Sequence, residues 1–175
     1  MPDLDSIFEA ASCRLPAAGV ECLLIGGFAV NHYGYTRNTL DVDFMIVADQ
    51  AAAVRRVMVE AGFANVAVEA NATLFCAPDC PLRVDFLHVD EETQRQLLSK
   101  AVSSEVRGYR LNIPSLRDLL AMKVFALSSE PERRLAKDLP DIAYLSVLHD
   151  LDEEADLRPL CGRSATATGV RRSLV

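Results

Sequence analysis

The chain lacks the marks of several large protein classes. Its 175 residues hold 18 Lys and Arg against 25 Asp and Glu, a net charge of −7. Proteins held to nucleic acid by overall charge carry a basic surplus. A local patch is therefore the most this chain offers to RNA, and a nucleotide carried with a divalent cation, or a protein partner, suits it better. No apolar run reaches the roughly 18 residues that cross a bilayer; the longest, Cys22 to Val30, is broken by Gly26 and Gly27, so no membrane partner is expected. Pro2, Asp3 and Asp5 provide no basic start for a signal peptide. Five scattered cysteines, an odd number, do not make a disulfide framework, and a reducing cytoplasm is the expected home. Cys76 and Cys80 flank Pro78, but no second Cys or His pair completes a zinc site. Walker A, Gly-x-Gly-x-x-Gly and Gly-x-Ser-x-Gly patterns and internal repeats are all missing.

Half the residues are hydrophobic, enough for a core. Apolar positions at helical spacing predict a helix over 4–15, ended by Pro16 and Gly19. Strands are expected at 21–25 and 41–47, with a short helix at 28–33 between them. Asp49 is placed to cap a helix over 50–61, stopped by Gly62. Strands follow at 63–69, 73–76 and 82–88, then a helix capped by Asp90 and a single strand over 106–113. Two helices close the pattern, over about 115–127 and 132–148, with Pro140 a bend or break in the second. The tail from about 158 has no periodicity and is expected to be loosely ordered. This order predicts a mixed α/β, α+β-class sheet with helices packed on it. The expected division is a core over 1–113, C-terminal helices over 114–150 and an irregular tail over 151–175.

Chemistry is concentrated in two places. Gly26-Gly27 follow the apolar run Leu23-Leu24-Ile25, and after thirteen intervening residues comes Asp41-Val42-Asp43. Residues i and i+2 of a strand share a face, so the two carboxylates project together. Mg²⁺ takes hard oxygen ligands and commonly binds through one or two carboxylates plus substrate phosphates. A third carboxylate, Asp85, sits inside the apolar strand 82–88, where it needs solvent, a partner or a metal. Strands lie about 4.8 Å apart, so a neighbouring strand brings Asp85 into the same cluster, unless Arg83 or Arg37 pairs with it instead.

This ordered set resembles the nucleotidyltransferase superfamily of the DNA polymerase β type: an apolar strand, a Gly pair, Asp-x-Asp, then a later strand Asp. Arg37-x-Thr39-x-Asp41-Val42-Asp43, the helix Pro114-Ser115-Leu116-x-Asp118-Leu119-Leu120-x-x-Lys123, and Lys137-Asp138-x-x-Asp141-Ile142 resemble the bacterial AbiEii-type subgroup of toxin–antitoxin nucleotidyltransferases. The resemblance spans about residues 20–148. It implies a metal triad of Asp41, Asp43 and Asp85 holding two Mg²⁺ (or Mn²⁺), with Gly26 and Gly27 against the phosphates of a nucleoside triphosphate such as ATP. Arg37 and Thr39 become positioning residues in nucleotide binding, and Lys123 a phosphate contact. Asp138 and Asp141, with Lys137, read as helix-surface pairs or as a bridge to the catalytic domain rather than as chemical groups. The second glycine stands where many members have serine.

The activity implied is Mg²⁺-dependent transfer of a nucleoside monophosphate to an acceptor hydroxyl, on tRNA or a partner protein, in a toxin–antitoxin or phage-defence role with a cognate toxin or antitoxin as partner. The alternatives are a catalytically silent interaction module on the same fold and a small-molecule enzyme of the aminoglycoside type.

Overall fold

The computed structural model describes residues 2–77 and 81–163. The chain divides into two compact units, Met1–Ala29 with Arg37–Ser115, and Val30–Thr36 with Leu116–Val175.

The first unit is built on one seven-stranded mixed sheet. Its strands are β1 (Leu23–Ile25), β2 (Asp41–Val47), β3 (Ala64–Glu69), β4 (Ala72–Cys76), β5 (Arg83–Val89), β6 (Val102–Val106) and β7 (Tyr109–Ile113), in the order β3-β4-β5-β2-β1-β7-β6. The β2–β5 and β1–β7 pairs are parallel and the others antiparallel. Strand alternation sorts the residues of β2 and β5. Val42, Phe44, Ile46, Val84 and Phe86 are fully buried. The rings of Phe44 and Phe86 stack at 5.2 Å, and Phe75 of β4 meets Phe86 edge-on at 5.8 Å. The alternate residues Asp41, Asp43, Arg83 and Asp85 are left on the other face.

The first helix, α1 (Leu4–Glu9), is opened by a reciprocal capping box between Asp3 and Ser6. It runs on through a π-helical stretch, Ala10–Arg14, into α2 (Leu15–Ala17), which accommodates Pro16 in its first turn. Helix α3 (Gly26–His32) begins at the glycines themselves. After β2 comes a 3₁₀ turn, Ala48–Gln50, and then α4 (Ala51–Glu60). Asp49 therefore lies within the turn, and the residue preceding α4 is Gln50, with no side-chain cap. Helix α5 (Glu91–Leu98) is capped by Asp90, whose Oδ1 accepts from the Thr93 amide at 2.7 Å.

The single strand expected over 106–113 is a hairpin, β6–β7. Arg107 and Gly108 form its two-residue turn, with φ of +52° and +85°. Positive φ at both central residues matches strand twist, but Arg-Gly is a weaker turn signal than Asn-Gly, and β6 carries the polar run Ser103-Ser104-Glu105 after Val102.

In the second unit, α6 (Leu116–Ser129) packs on α7 (Pro131–Leu148). Pro140 removes one amide donor, yet α7 continues through it to Leu148. Tyr35 stacks on Tyr144 with ring centroids 4.2 Å apart, and His149 Nε2 lies 2.8 Å from the Tyr33 carbonyl. Part of the expected irregular tail is helical. A π-turn, Glu153–Leu157, opens where Asp152 accepts from the Ala155 amide, and α8 (Arg158–Arg163) buries Leu160. Segments this short show no sequence periodicity. The remaining tail, 164–175, and Cys80 lie outside the described residues.

Candidate active site

Backbone register assembles the carboxylates. Asp43 of β2 pairs with Asp85 of β5, and Asp41 pairs with Arg83. On the other flank Ile25 of β1 faces Asp43, so the chain turns into Gly26 beside the Asp43 side chain. Two like charges directly opposite on neighbouring strands cost stability, which makes the Asp43–Asp85 pairing costly as a purely structural device.

The glycines have a local reason. Gly26 has φ of +65°, a left-handed value that only glycine adopts freely. A Cβ placed there would meet Asp43 Oδ2 at 1.9 Å, and one at Gly27 would meet Thr39 Oγ1 at 2.8 Å. The pair thus lets the start of α3 approach both Asp43 and Thr39. Thr39 in turn donates from its hydroxyl to the Asp41 carbonyl at 3.0 Å, holding the entrance of β2. Arg37 is half-buried, four residues ahead of Asp41.

Gly26→Ala combines two penalties that a second glycine separates. Positive φ costs a non-glycine residue about 1–2 kcal/mol, and the methyl also displaces the Asp43 carboxylate. Gly108 has φ of +85° with no atom within 4 Å of a built Cβ, so Gly108→Ala carries the backbone term alone. Urea unfolding is expected to show a larger loss in Gly26→Ala than in Gly108→Ala, with enzymatic activity lost only in the former.

Arg83 is a close neighbour of the carboxylates that the motif set leaves out. Its Nη2 lies 3.0 Å from Asp85 Oδ2 and 3.5 Å from Asp41 Oδ2. An Arg alternating with an Asp in a strand is the signal that could have placed it there. Asp85 is largely buried, its side chain 13% exposed, and its Oδ1 has no hydrogen-bond partner. Burial raises the Asp85 pKa, with Asp43 and Asp41 adding to the rise and Arg83 opposing it. Among the described residues no three His, Cys, Asp or Glu side chains converge tightly enough to hold a metal in this conformation. The donor set nevertheless fits a hard divalent cation: three carboxylates on one sheet face, one with a buried unsatisfied oxygen.

A raised folded-state pKa means that Asp85 binds its proton more tightly in the native chain than in the unfolded one. Its contribution to stability is fully present below the ordinary carboxylate value of about 3.9 and is lost as pH rises through the raised value. Asp85→Asn is therefore expected to gain stability on wild type as pH rises from about 4 towards neutrality. Unfolding measured across that interval without added metal checks the sign; a constant difference would count against it.

Lys123 lies in the second unit and is buried, with Nζ 2.8 Å from Asp138 Oδ1 and 2.7 Å from Asp141 Oδ2. Arg134 approaches Asp138 Oδ2 at 3.7 Å. Asp138 and Asp141 are 2% and 0% exposed, so they are interior partners of Lys123 rather than surface pairs. The neighbouring cations are likewise engaged in part: Arg133 and Arg134 both face Glu130.

The description "Nucleotidyl transferase AbiEii toxin, Type IV TA system" belongs to the family whose profile matches residues 13–170. Comparison with curated protein sequences gives no match. Among solved structures, the antibiotic-resistance factor ANT(2'')-Ia superposes with a TM-score of 0.70 at 10% identity, covering 95% of this chain and 94% of that one. An antigenic nucleotidyltransferase-like protein from Paracoccidioides brasiliensis gives 0.56 at 18% identity, over 83% and 77% of the two chains. The lincosamide antibiotic adenylyltransferase LnuA in its lincomycin-bound form gives 0.54 at 13% identity, over 83% and 98%. At these identities the structural likeness is one of fold, and it agrees with the mixed sheet described above. With the family profile spanning nearly the whole chain over this sheet, the protein belongs to the AbiEii nucleotidyltransferase family of type IV toxin–antitoxin systems and is a nucleotidyltransferase.

Proposed function

We propose that the chain moves a nucleoside monophosphate from a nucleoside triphosphate to an acceptor hydroxyl in a Mg²⁺-dependent reaction, as a toxin–antitoxin or phage-defence component. The observation that carries this reading is the register pairing of Asp43 with Asp85 beside Gly26, with an unsatisfied buried oxygen on Asp85. Asp41, Asp43 and Asp85 would hold the cations, two Mg²⁺ or alternatively Mn²⁺. Such ions, when bound, make the acceptor oxygen a better nucleophile and neutralise the departing pyrophosphate. The backbone of Gly26 and Gly27, at the start of α3, faces the phosphates. Arg37 and Thr39 hold the approach to β2, and Arg83 balances the carboxylates' charge. The acceptor oxygen forms a bond to the α-phosphorus, the bond to the β-phosphate oxygen breaks, pyrophosphate leaves, and the acceptor proton goes to water. Positioning and electrostatics supply most of the rate in chemistry of this kind.

For the acceptor we favour tRNA or a protein partner such as the cognate antitoxin, in line with the family. A second reading has a small-molecule acceptor. It is favoured by the near-complete mutual coverage with ANT(2'')-Ia, one structure of which holds adenylyl-2''-tobramycin. Full-length protein incubated with Mg²⁺ and each α-labelled nucleoside triphosphate, in the presence of tRNA, a candidate antitoxin or an aminoglycoside, separates the readings by where the label appears. Label on tRNA or protein supports the first. No transfer to any acceptor and no nucleotide binding would leave the fold as an interaction module.

A further inference from the structure

Helix α7 is patterned inside out. Its buried face carries Asp138, Asp141 and Ser146 beside Leu145. On the opposite side Leu135, Leu139, Ala143 and Val147 follow one another at i+4, a spacing that keeps side chains on one face. Ala136 and Pro140 lie beside them, and all six are exposed, Leu135 at 54%, Leu139 at 46% and Val147 at 84%. A surface helix ordinarily turns its charged and polar residues outward. Single exposed apolar side chains need no explanation, but a contiguous run of them marks an interaction face. Tyr144 and Leu148 flank the run and have neighbours inside the same unit: Tyr144 stacks on Tyr35, and Leu148 lies against Gly34.

The run is complementary to itself. A two-fold contact uses the same patch on both copies. Turned end for end about an axis beside residue 141, the ridge sets Leu139 against Ala143 of the second copy and Leu135 against its Val147. At the centre a large side chain therefore meets a small one.

Charge selects the same arrangement. Residues 130–137, at the start of α7, hold Arg133, Arg134 and Lys137 against two glutamates. Residues 149–156, at its end, hold five carboxylates and no Lys or Arg. Antiparallel pairing brings the cationic start of each copy to the acidic end of the other, with exposed Arg133 towards exposed Asp150. Parallel pairing would set the acidic ends together, a juxtaposition that is costly at an interface. The opposed helix dipoles favour the antiparallel pair as well.

We propose that this face joins two copies of the chain, antiparallel along α7. The ridge from Leu135 to Val147 is about 18 Å long at 1.5 Å per residue. That is short for a permanent interface, so the dimer exchanges reversibly with monomer.

Sedimentation of the full chain across a concentration series at physiological ionic strength tests the proposal. A reversible monomer–dimer equilibrium is expected. Leu139→Glu, at an exposed position facing away from the core, is expected to weaken it at least tenfold, with folding checked by the unfolding transition. Arg133→Glu and Asp150→Lys each set like charges together and are expected to weaken it separately. Mixed in equal amounts, these two folded variants are expected to dimerise again, because each then offers the other an opposite charge at both ends. The proposal is overturned by a chain that stays monomeric at every accessible concentration, or by a dimer that Leu139→Glu leaves at wild-type strength. A mixture of the charge variants that associates no better than either alone also overturns it. So does a monomeric wild type that binds a candidate antitoxin and loses that binding in Leu139→Glu, which would give the face to a different protein.

Discussion

Replacing Asp41 and Asp43 together by asparagine is expected to lower nucleotidyl transfer by about 10³-fold or more, the scale set by losing charge stabilisation in a preorganised site, while the chain stays folded. The two outcomes separate because of where these residues sit. Both are on the face of β2 that faces away from Val42, Phe44 and Ile46, so asparagine removes charge without touching the core. Asp43 is also paired directly with Asp85, and neutralising one member of a like-charged cross-strand pair relieves repulsion. Metal uptake followed by calorimetry should fall with activity in the same variant. Transfer at the wild-type rate in the double variant would remove the proposed mechanism. Loss of activity accompanied by unfolding would instead reassign the pair to structure.

Lys123→Met is expected to act in the opposite way, on stability first. Met keeps the aliphatic stem but leaves Asp138 and Asp141, both buried, without the ammonium that lies 2.8 and 2.7 Å from them. Removing one partner of a buried ion pair costs about 3–5 kcal/mol, because the remaining charge stays desolvated. For a chain of this size that lowers the melting transition by on the order of 10 °C. Adding Asp138→Asn and Asp141→Asn to the Met variant should recover much of the loss, since no unpaired buried charge is then left. Unchanged stability with loss of nucleotide binding would restore Lys123 as the phosphate contact that the motif resemblance suggested.

The contrast between these two sets shows how far the sequence reaches. Asp41-x-Asp43 and Asp85 were legible because a period of two puts alternate residues on one face whatever the surroundings, and because a carboxylate in an apolar strand is conspicuous. Lys123 was legible as a motif position but not as an interior one. Its neighbours Asp138 and Asp141 lie fifteen or more residues away on another helix, and only the packing of α6 on α7 brings them together. Arg83 was visible as a rival partner for Asp85, while its additional approach to Asp41 follows from the parallel β2–β5 register.

The hairpin β6–β7 and the helical turns after residue 152 escaped because short polar segments carry little periodic signal. The hydrogen bonds from Gln50 Nε2 to the Gly19 carbonyl and from Gln94 Nε2 to the Glu21 carbonyl could not be read at all, since each partner lies in a distant part of the chain.

By itself, then, the amino-acid sequence determined the mixed α/β class, the order of the main strands, the carboxylate pair on β2 and the superfamily. These follow from local periodicity and ordered motifs. Tertiary structure alone decided that Gly26 makes room for Asp43, that Arg83 stands between carboxylates, and that Lys123 is interior. Each of those depends on strand register or helix packing, which brings together residues whose spacing along the chain carries no trace of the contact.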